Sequence, residues 1–86
     1  MSNGVGMNYQ VYGAGPWFHL TWWEKGGTFR EEAVDARRVV RVTRNVDGGC
    51  VLTIHGDASD LYLPGVSVMD ALDYIHGALA RSATTT

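Results

Sequence analysis

The side chains that could do chemistry in this sequence are tryptophans, arginines and histidines at alternating positions of short β-type segments. Trp17, His19 and Trp23 alternate along one segment, and Arg37 and Arg41 alternate along another, so an extended chain places each set on one side. Tryptophan, tyrosine and arginine are enriched where proteins bind each other, and aromatic rings beside arginines also suit stacked bases and phosphates. The residue types therefore indicate macromolecular recognition. The candidate binding residues are Trp17, His19, Trp23, Arg37, Arg41, His55 and Tyr62.

The histidines and the single cysteine do not form a known metal-binding or catalytic motif. A zinc site needs three or four converging ligands, and no HxH or HExxH spacing occurs around His19, His55 or His76. Cys50 starts a segment whose alternating partners are apolar, which predicts a small buried side chain rather than a reactive thiolate. The segment Gly13–Pro16 lacks the third glycine of a dinucleotide-binding loop. We therefore expect no enzymatic activity, no metal and no cofactor.

Length and composition predict one small domain. The chain has 86 residues, a net charge of −2 and one cysteine, which argues against a strongly basic nucleic-acid binder and excludes an internal disulfide. No apolar run approaches the roughly 20 residues that span a bilayer, and the start of the chain does not resemble a signal peptide. We expect a cytoplasmic protein without a membrane segment. Six arginines against one lysine favour a bacterial or phage origin.

The two ends of the chain differ from its middle in composition. Residues 1–8 are rich in glycine and asparagine, and residues 82–86 offer nothing apolar to bury. Ends without apolar anchors usually fray. We therefore predict flexible segments over 1–8 and 82–86, and a single folded domain over 9–81.

Runs of β-branched and aromatic residues between turn residues predict antiparallel strands. A strand over 17–23 ends before Gly26 and Gly27, which favour a chain reversal because glycine readily adopts positive φ. Residues 28–36 remain open between two structures. A capping-box pattern at Thr28–Glu31 would start a short helix, whereas the double glycine favours a hairpin with 17–23. Further strands are predicted over 9–12, 37–44, 50–55 and 60–63.

The C-terminal segment predicts a helix on that sheet. Ser67 and Asp70 have the spacing of a capping box. Val68, Leu72, Ile75 and Leu79 then form one apolar stripe at helical spacing. The expected fold class is α+β: a two-layer sandwich of an antiparallel sheet with four to five strands and one C-terminal helix packed across one face. The side chains predicted to face the helix are Phe18, Leu20, Trp22, Val40, Val42, Cys50, Leu52, Ile54, Leu61 and Leu63.

A single helix covers one face of a sheet, so the face with the candidate binding residues is expected to stay open. One alternative is that residues 28–36 and the N-terminal strand fold over it and bury it. An open aromatic face predicts a small non-enzymatic protein-binding module of the inhibitor, immunity or adaptor type. Its partner would be another protein or a second copy in a homodimer. The alternative function is single-stranded nucleic-acid binding, with tryptophans stacking on bases and arginines contacting phosphates.

Overall fold

The computed structural model describes residues 9–24 and 26–84, so the segment 1–8 lies outside the described residues. These residues form antiparallel strands followed by one helix, which makes the protein α+β. The helix continues past the expected domain boundary at Arg81. In chain order the elements are β1 (Gln10–Tyr12), β2 (Trp17–Trp23), β3 (Phe29–Asp35), a 3-10 turn (Ala36–Arg38), β4 (Val39–Arg44), β5 (Cys50–Ile54), β6 (Leu61–Leu63) and α1 (Val68–Thr84).

The strands form two three-stranded sheets, in the orders β1-β2-β3 and β4-β5-β6. The expectation of one sheet with four to five strands was therefore wrong. The break lies at the 3-10 turn, where the carboxylate of Asp35 accepts a hydrogen bond from the amide of Arg37 at 3.0 Å. This corner begins a second sheet at β4 instead of returning the chain along β3. Arg37, expected within a strand, belongs to the corner.

Residues 29–35 form the second arm of a hairpin, which confirms the favoured interpretation of this segment. The register runs from Trp17 opposite Asp35 to Trp23 opposite Phe29. Gly26 and Gly27 adopt φ values of 98° and 91° in the connecting turn, a region that is strained for residues with a Cβ atom. β1 and β3 therefore flank β2 as neighbouring strands and widen its outer face instead of folding over it.

The core lies between the two sheets and α1. Alternation along β2 buries Phe18, Leu20 and Trp22, as expected, while β5 contributes Cys50 and Leu52. Ile54 and Leu61, which were also expected to face the helix, are half-buried against this core. The buried apolar side chains are Phe18, Leu20, Trp22, Val34, Ala36, Cys50, Leu52, Leu63, Val66, Ala71, Ile75 and Ala78.

Two long-range hydrogen bonds help to join the parts of the fold. The hydroxyl of Tyr9 donates to the carbonyl of Pro64 at 2.6 Å, and its ring packs against Trp22 with centroids 4.9 Å apart. Burial of this hydroxyl raises the pKa of Tyr9. Near the other end of the chain, the Arg81 guanidinium donates to the carbonyl of Trp17 at 2.9 Å. The first sheet is thus fastened both to the loop before α1 and to α1 itself.

β4 departs from the expected alternation because it contains an irregularity. Its register with β5 shifts between Val39 and Arg41, so Val40 is an extra residue without a partner. Such a bulge reverses the side-chain alternation on one side of it. Val39 consequently packs against the core, whereas Val40 is 64% exposed. The expected helix-facing position of Val40 was wrong, while Val42 is half-buried against the core as expected.

The buried stripe of α1 is shifted from the expected one: Ile75 is buried and Val68 packs against the core, as expected, but Leu79 does not. Ala71, Ile75 and Ala78 are buried, whereas Leu79 is 37% exposed. Alanine side chains let a helix approach a sheet closely, so the helix rotates its alanine side towards the core. The same rotation brings the Tyr74 ring to Phe18, with centroids 6.3 Å apart. Leu79 therefore lies at the margin of the interface instead of at its centre.

Ser67 caps α1, as expected, because its hydroxyl accepts a hydrogen bond from the amide of Asp70 at 3.0 Å. We expect Ser67→Ala to lower the free energy of unfolding by about 1 kcal/mol, since one amide in the first turn loses its partner. Urea denaturation measures the change. Met69→Ala is a suitable control because Met69 is 68% exposed, and it should leave stability nearly unchanged. Equal stability of Ser67→Ala and the parent would contradict the capping role.

Candidate functional site

The outer face of the first sheet carries a cluster of exposed aromatic rings, which we call the aromatic face. Directly opposed residues of neighbouring strands point to the same side, and Tyr12 lies opposite His19 while Phe29 lies opposite Trp23. Trp17 completes the set at the other end of β2. The exposed fractions are 50% for Tyr12, 42% for Trp17, 58% for Trp23 and 49% for Phe29. His19 is half-buried among them.

Two ring contacts organise the aromatic face. Tyr12 stacks on His19 with centroids 5.1 Å apart and an interplanar angle of 23°. Trp23 packs against Phe29 at 5.0 Å and 58°. Aromatic pairs contribute about 0.5–1.5 kcal/mol beyond their buried area. Nδ1 of His19 is buried without a hydrogen-bond partner among the described residues, so stacking rather than hydrogen bonding at that nitrogen holds the ring. The face is therefore ordered before any partner arrives.

Three of the candidate binding residues lie away from the aromatic face, two of them on the second sheet and His55 in the turn after β5. Arg41 pairs with Thr53, and Tyr62 pairs with Val51, across β4, β5 and β6. His55 follows the end of β5, where its amide donates to the Arg38 carbonyl at 2.7 Å. Trp17, His19 and Trp23 lie together on β2. Because the chain forms two sheets, Arg41, His55 and Tyr62 do not belong to that sheet.

The Tyr62 hydroxyl takes part in a turn. It donates to the carboxylate of Asp47, which also accepts the amide of Gly49 at 2.9 Å and the side-chain amide of Asn45 at 3.1 Å. The hydrogen bond from Tyr62, followed by that from Gly49, holds the pKa of Asp47 below its ordinary value. The same contact raises the pKa of Tyr62. Tyr62 thus stabilises the connection between β4 and β5.

Arg37 is already paired within the chain. Its guanidinium donates two hydrogen bonds to the carboxylate of Asp35, at 3.0 and 2.8 Å, in the bidentate geometry that suits arginine and carboxylate. Asp35 is 7% exposed. The hydrogen bond with Arg37 lowers the pKa of Asp35 and raises that of Arg37. The charge of Arg37 is therefore largely neutralised before any external anion arrives.

Carboxylates lie along β3 and its preceding turn; we call Glu24, Glu31 and Glu32 the acidic rim. Glu31, opposite Thr21, is on the aromatic face, whereas Glu32, opposite the buried Leu20, is on the other side of the sheet. Arg30 lies between two of them, with its guanidinium 3.2 Å from Glu24 and 2.9 Å from Glu32. The hydrogen bond to Glu32 is the main cause of a raised pKa of Arg30. Glu31 is exposed and accepts a long hydrogen bond from the Tyr12 hydroxyl at 3.5 Å. Arg30 and the acidic rim together carry a net charge of −2.

Tyr12, Phe29 and Glu31 also belong to this surface, although they were not among the candidate binding residues. Alternation along the segment 29–35 places Phe29 and Glu31 on one side, but this signal has meaning only if the segment is a strand. Once Gly26 and Gly27 define the hairpin, the opposition of Phe29 and Trp23 follows from the register. These positions could be assigned to the surface only if residues 28–36 form a strand rather than a helix.

A cleft beside Trp17 is too small for a typical small-molecule site. It is lined by Asp35, Arg38, Ile54 and Asp57 among others, and holds about 180 Å³, whereas ligand pockets usually measure about 300–1,000 Å³. In the described part of the chain, no group of three or more His, Cys, Asp or Glu residues is arranged to hold a metal ion. Cys50 is fully buried, and burial raises the pKa of its thiol.

Comparison of the chain with protein-family models, with curated proteins and with solved structures yields no match. Among residues 9–24 and 26–84, no helix is long and apolar enough to cross a membrane.

Proposed function

We propose that this protein is a small cytoplasmic, non-enzymatic protein-binding module of the inhibitor, immunity or adaptor type, and that its binding surface is the aromatic face. The supporting observation is that four aromatic side chains, each 42–58% exposed, share one face of a three-stranded sheet. Exposed aromatic side chains gathered on one sheet face indicate an interaction site. Tryptophan and tyrosine are also the residues that most often dominate binding energy at protein interfaces.

The charges around the aromatic face favour a protein over a nucleic acid. The exposed carboxylate of Glu31 on this face repels phosphates, and the nearby Arg37 is engaged by Asp35 at 2.8 Å. Arg41, which was expected to supply a phosphate contact, lies on the other sheet. Single-stranded nucleic-acid binding needs a positively charged groove beside the stacking rings. The aromatic face offers the rings next to carboxylates.

The acidic rim also bears on the choice between another protein and a second copy. Two copies that met through their aromatic faces would bring carboxylates of the same sign to the edge of one interface. Like charges placed opposite each other lower affinity. We therefore propose a different protein as the partner, with a homodimer through the same face as the competing arrangement.

Photo-crosslinking in the cells that produce the protein tests this proposal. A benzophenone amino acid replaces Trp17 or Trp23 in two separate variants, and Val46 in a third, since Val46 is fully exposed but lies in the turn between β4 and β5. We expect a discrete protein adduct from the first two positions and none from the third. An excess of the parent protein should suppress the adduct.

The double substitution Trp17→Ser/Trp23→Ser provides the matched competitor. We expect it to keep the far-ultraviolet circular dichroism of the parent, because both indoles lie outside the core. It should need about 1,000-fold more protein to suppress the adduct, since two tryptophan anchors of about 2 kcal/mol each contribute about 4 kcal/mol. A nuclease-sensitive adduct would favour nucleic acid, an adduct of two copies would favour the homodimer, and equal competition by the double variant would refute the proposal.

A further inference from the structure

The first sheet has an open edge beside the aromatic face. β3 pairs with β2 on one side, and no described strand pairs with its other side. β3 is seven residues long, which is enough to accept a strand from another chain. An exposed strand edge presents unpaired amides and carbonyls that form hydrogen bonds with an added strand.

The hairpin register shows which backbone groups point outwards from β3. Glu24 donates to the carbonyl of Thr28 at 2.7 Å, and Ala36 donates to the carbonyl of Pro16 at 2.8 Å. Hydrogen-bonded and non-hydrogen-bonded pairs alternate along an antiparallel ladder. The even-numbered residues of β3 therefore bond to β2. The backbone groups of Phe29, Glu31 and Ala33 point to the open edge.

The charges on this edge discriminate between possible added strands. A two-fold antiparallel pairing of two β3 strands centred at Glu32 would place identical carboxylates opposite each other, which is destabilising. Centred at Glu31, the pairing would oppose the two Glu31 carboxylates but would also set Arg30 opposite Glu32 of the second copy. Charged side chains on an edge commonly prevent such self-pairing. The same carboxylates attract a strand of the opposite sign. The carboxylates of the edge thus favour a basic segment.

We infer that the protein captures an extended basic segment of its partner as a fourth strand on the open edge of β3. This inference rests on the proposed function and specifies the chemistry of the partner. In an antiparallel arrangement, lysine or arginine would lie opposite Glu31 and Glu32, and an apolar residue would lie opposite Phe29. That apolar residue extends the contact onto Trp23, which packs on Phe29 at 5.0 Å. Strand addition supplies affinity, and the acidic rim supplies selectivity.

A fluorescently labelled peptide, Thr-Val-Arg-Lys-Thr-Val-Thr, tests the inference directly. Paired antiparallel with Phe29–Ala33, it sets its arginine and lysine opposite Glu32 and Glu31 and its two valines opposite the ends of that segment. We expect saturable binding in fluorescence anisotropy that weakens with added salt. The same peptide with two glutamates in place of the arginine and lysine should bind at least about tenfold more weakly, because like charges then face each other.

Backbone methylation separates strand addition from charge attraction alone. N-methyl groups on the lysine and the second valine remove two amides that would donate to β3, and binding should fall at least about tenfold. N-methyl groups on the arginine and on the threonine that follows the lysine remove amides that face away from β3, and binding should persist. Equal weakening by both pairs of methyl groups, or by neither, would overturn the inference.

Protein variants complete the test. Glu31→Gln/Glu32→Gln should weaken peptide binding several-fold and reduce its salt dependence, whereas Asp73→Asn, on the exposed side of α1, should leave both unchanged. Equal effects of the two variants would count against the inference. If the crosslinking at Trp17 and Trp23 succeeds while the peptide experiments fail, the aromatic face remains the binding surface. In that case only the inference of strand addition is rejected. If the crosslinking itself fails, the proposed function is rejected.

Discussion

Leu52→Ala is expected to lower the free energy of unfolding by about 2–5 kcal/mol. Leu52 is 0% exposed, at the centre of β5 between Val42 on one side and Leu61 on the other. Removing its side chain costs the transfer free energy of the lost methyl and methylene groups and leaves a cavity. For a domain of this size, each kcal/mol corresponds to about 4–8 °C in melting temperature. Thermal melts followed by circular dichroism measure the loss.

Leu79→Ala is the matched control, because it makes the same chemical change at the margin of α1. Leu79 is 37% exposed, and alanine is a better helix former than leucine. We expect its effect to stay below about 1 kcal/mol. Similar losses in the two variants would show that Leu79 lies in the core and that the observed rotation of α1 is incorrect.

Gly49→Ala is expected to destabilise the protein by about 1–3 kcal/mol through overpacking. A Cβ atom at this position would lie 2.7 Å from the carbonyl oxygen of Leu63 and 3.1 Å from the amide nitrogen of Gly65. Both are backbone atoms, so neither can move aside as the end of a flexible side chain could. The turn between β4 and β5 would have to separate from the end of β6. Chemical denaturation of the purified variant measures the cost.

Gly77→Ala is the same chemical change as Gly49→Ala, but we expect it to raise stability instead of lowering it. Gly77 is exposed within α1, and the nearest atom to an added Cβ is the Arg81 guanidinium at 3.8 Å. Alanine stabilises a helix interior relative to glycine by up to about 1 kcal/mol, so this variant should be slightly more stable than the parent. A stabilising effect of Gly49→Ala would refute the close approach of the turn to β6.

Patterns that repeat over a few residues predicted local structure well. Alternation in the segment 17–23 predicted which side of β2 is buried, and Phe18 is 1% exposed. Gly26 and Gly27 predicted the hairpin because the left-handed region favours glycine. Ser67 predicted the start of α1 because a hydroxyl before the first helical turn satisfies an amide there. Each signal depends on neighbours in the chain.

Features that depend on distant neighbours were predicted poorly. The corner at Asp35 and the bulge at Val40 lie within runs that read as ordinary strand sequence, so nothing local indicated two sheets or the outward position of Val40. The orientation of α1 depends on how closely Ala71 and Ala78 approach the sheet. Hydrophobic spacing alone predicted a buried stripe centred closer to the larger Leu79, whereas the helix buries the side that carries the alanines.

The candidate site shows the same difference between local patterns, which the sequence predicts, and long-range packing, which it does not. By itself the sequence determined that Trp17, His19 and Trp23 share one side of a strand, because side chains alternate along any extended chain. Only the tertiary structure decided what surrounds them. Pairing of β1 and β3 with β2 added Tyr12, Phe29 and Glu31, while the corner assigned Arg41 and Tyr62 to another sheet and His55 to the turn after β5. Strand pairing depends on how whole segments pack, and that packing placed the carboxylate of Glu31 on a surface that was expected to carry arginines.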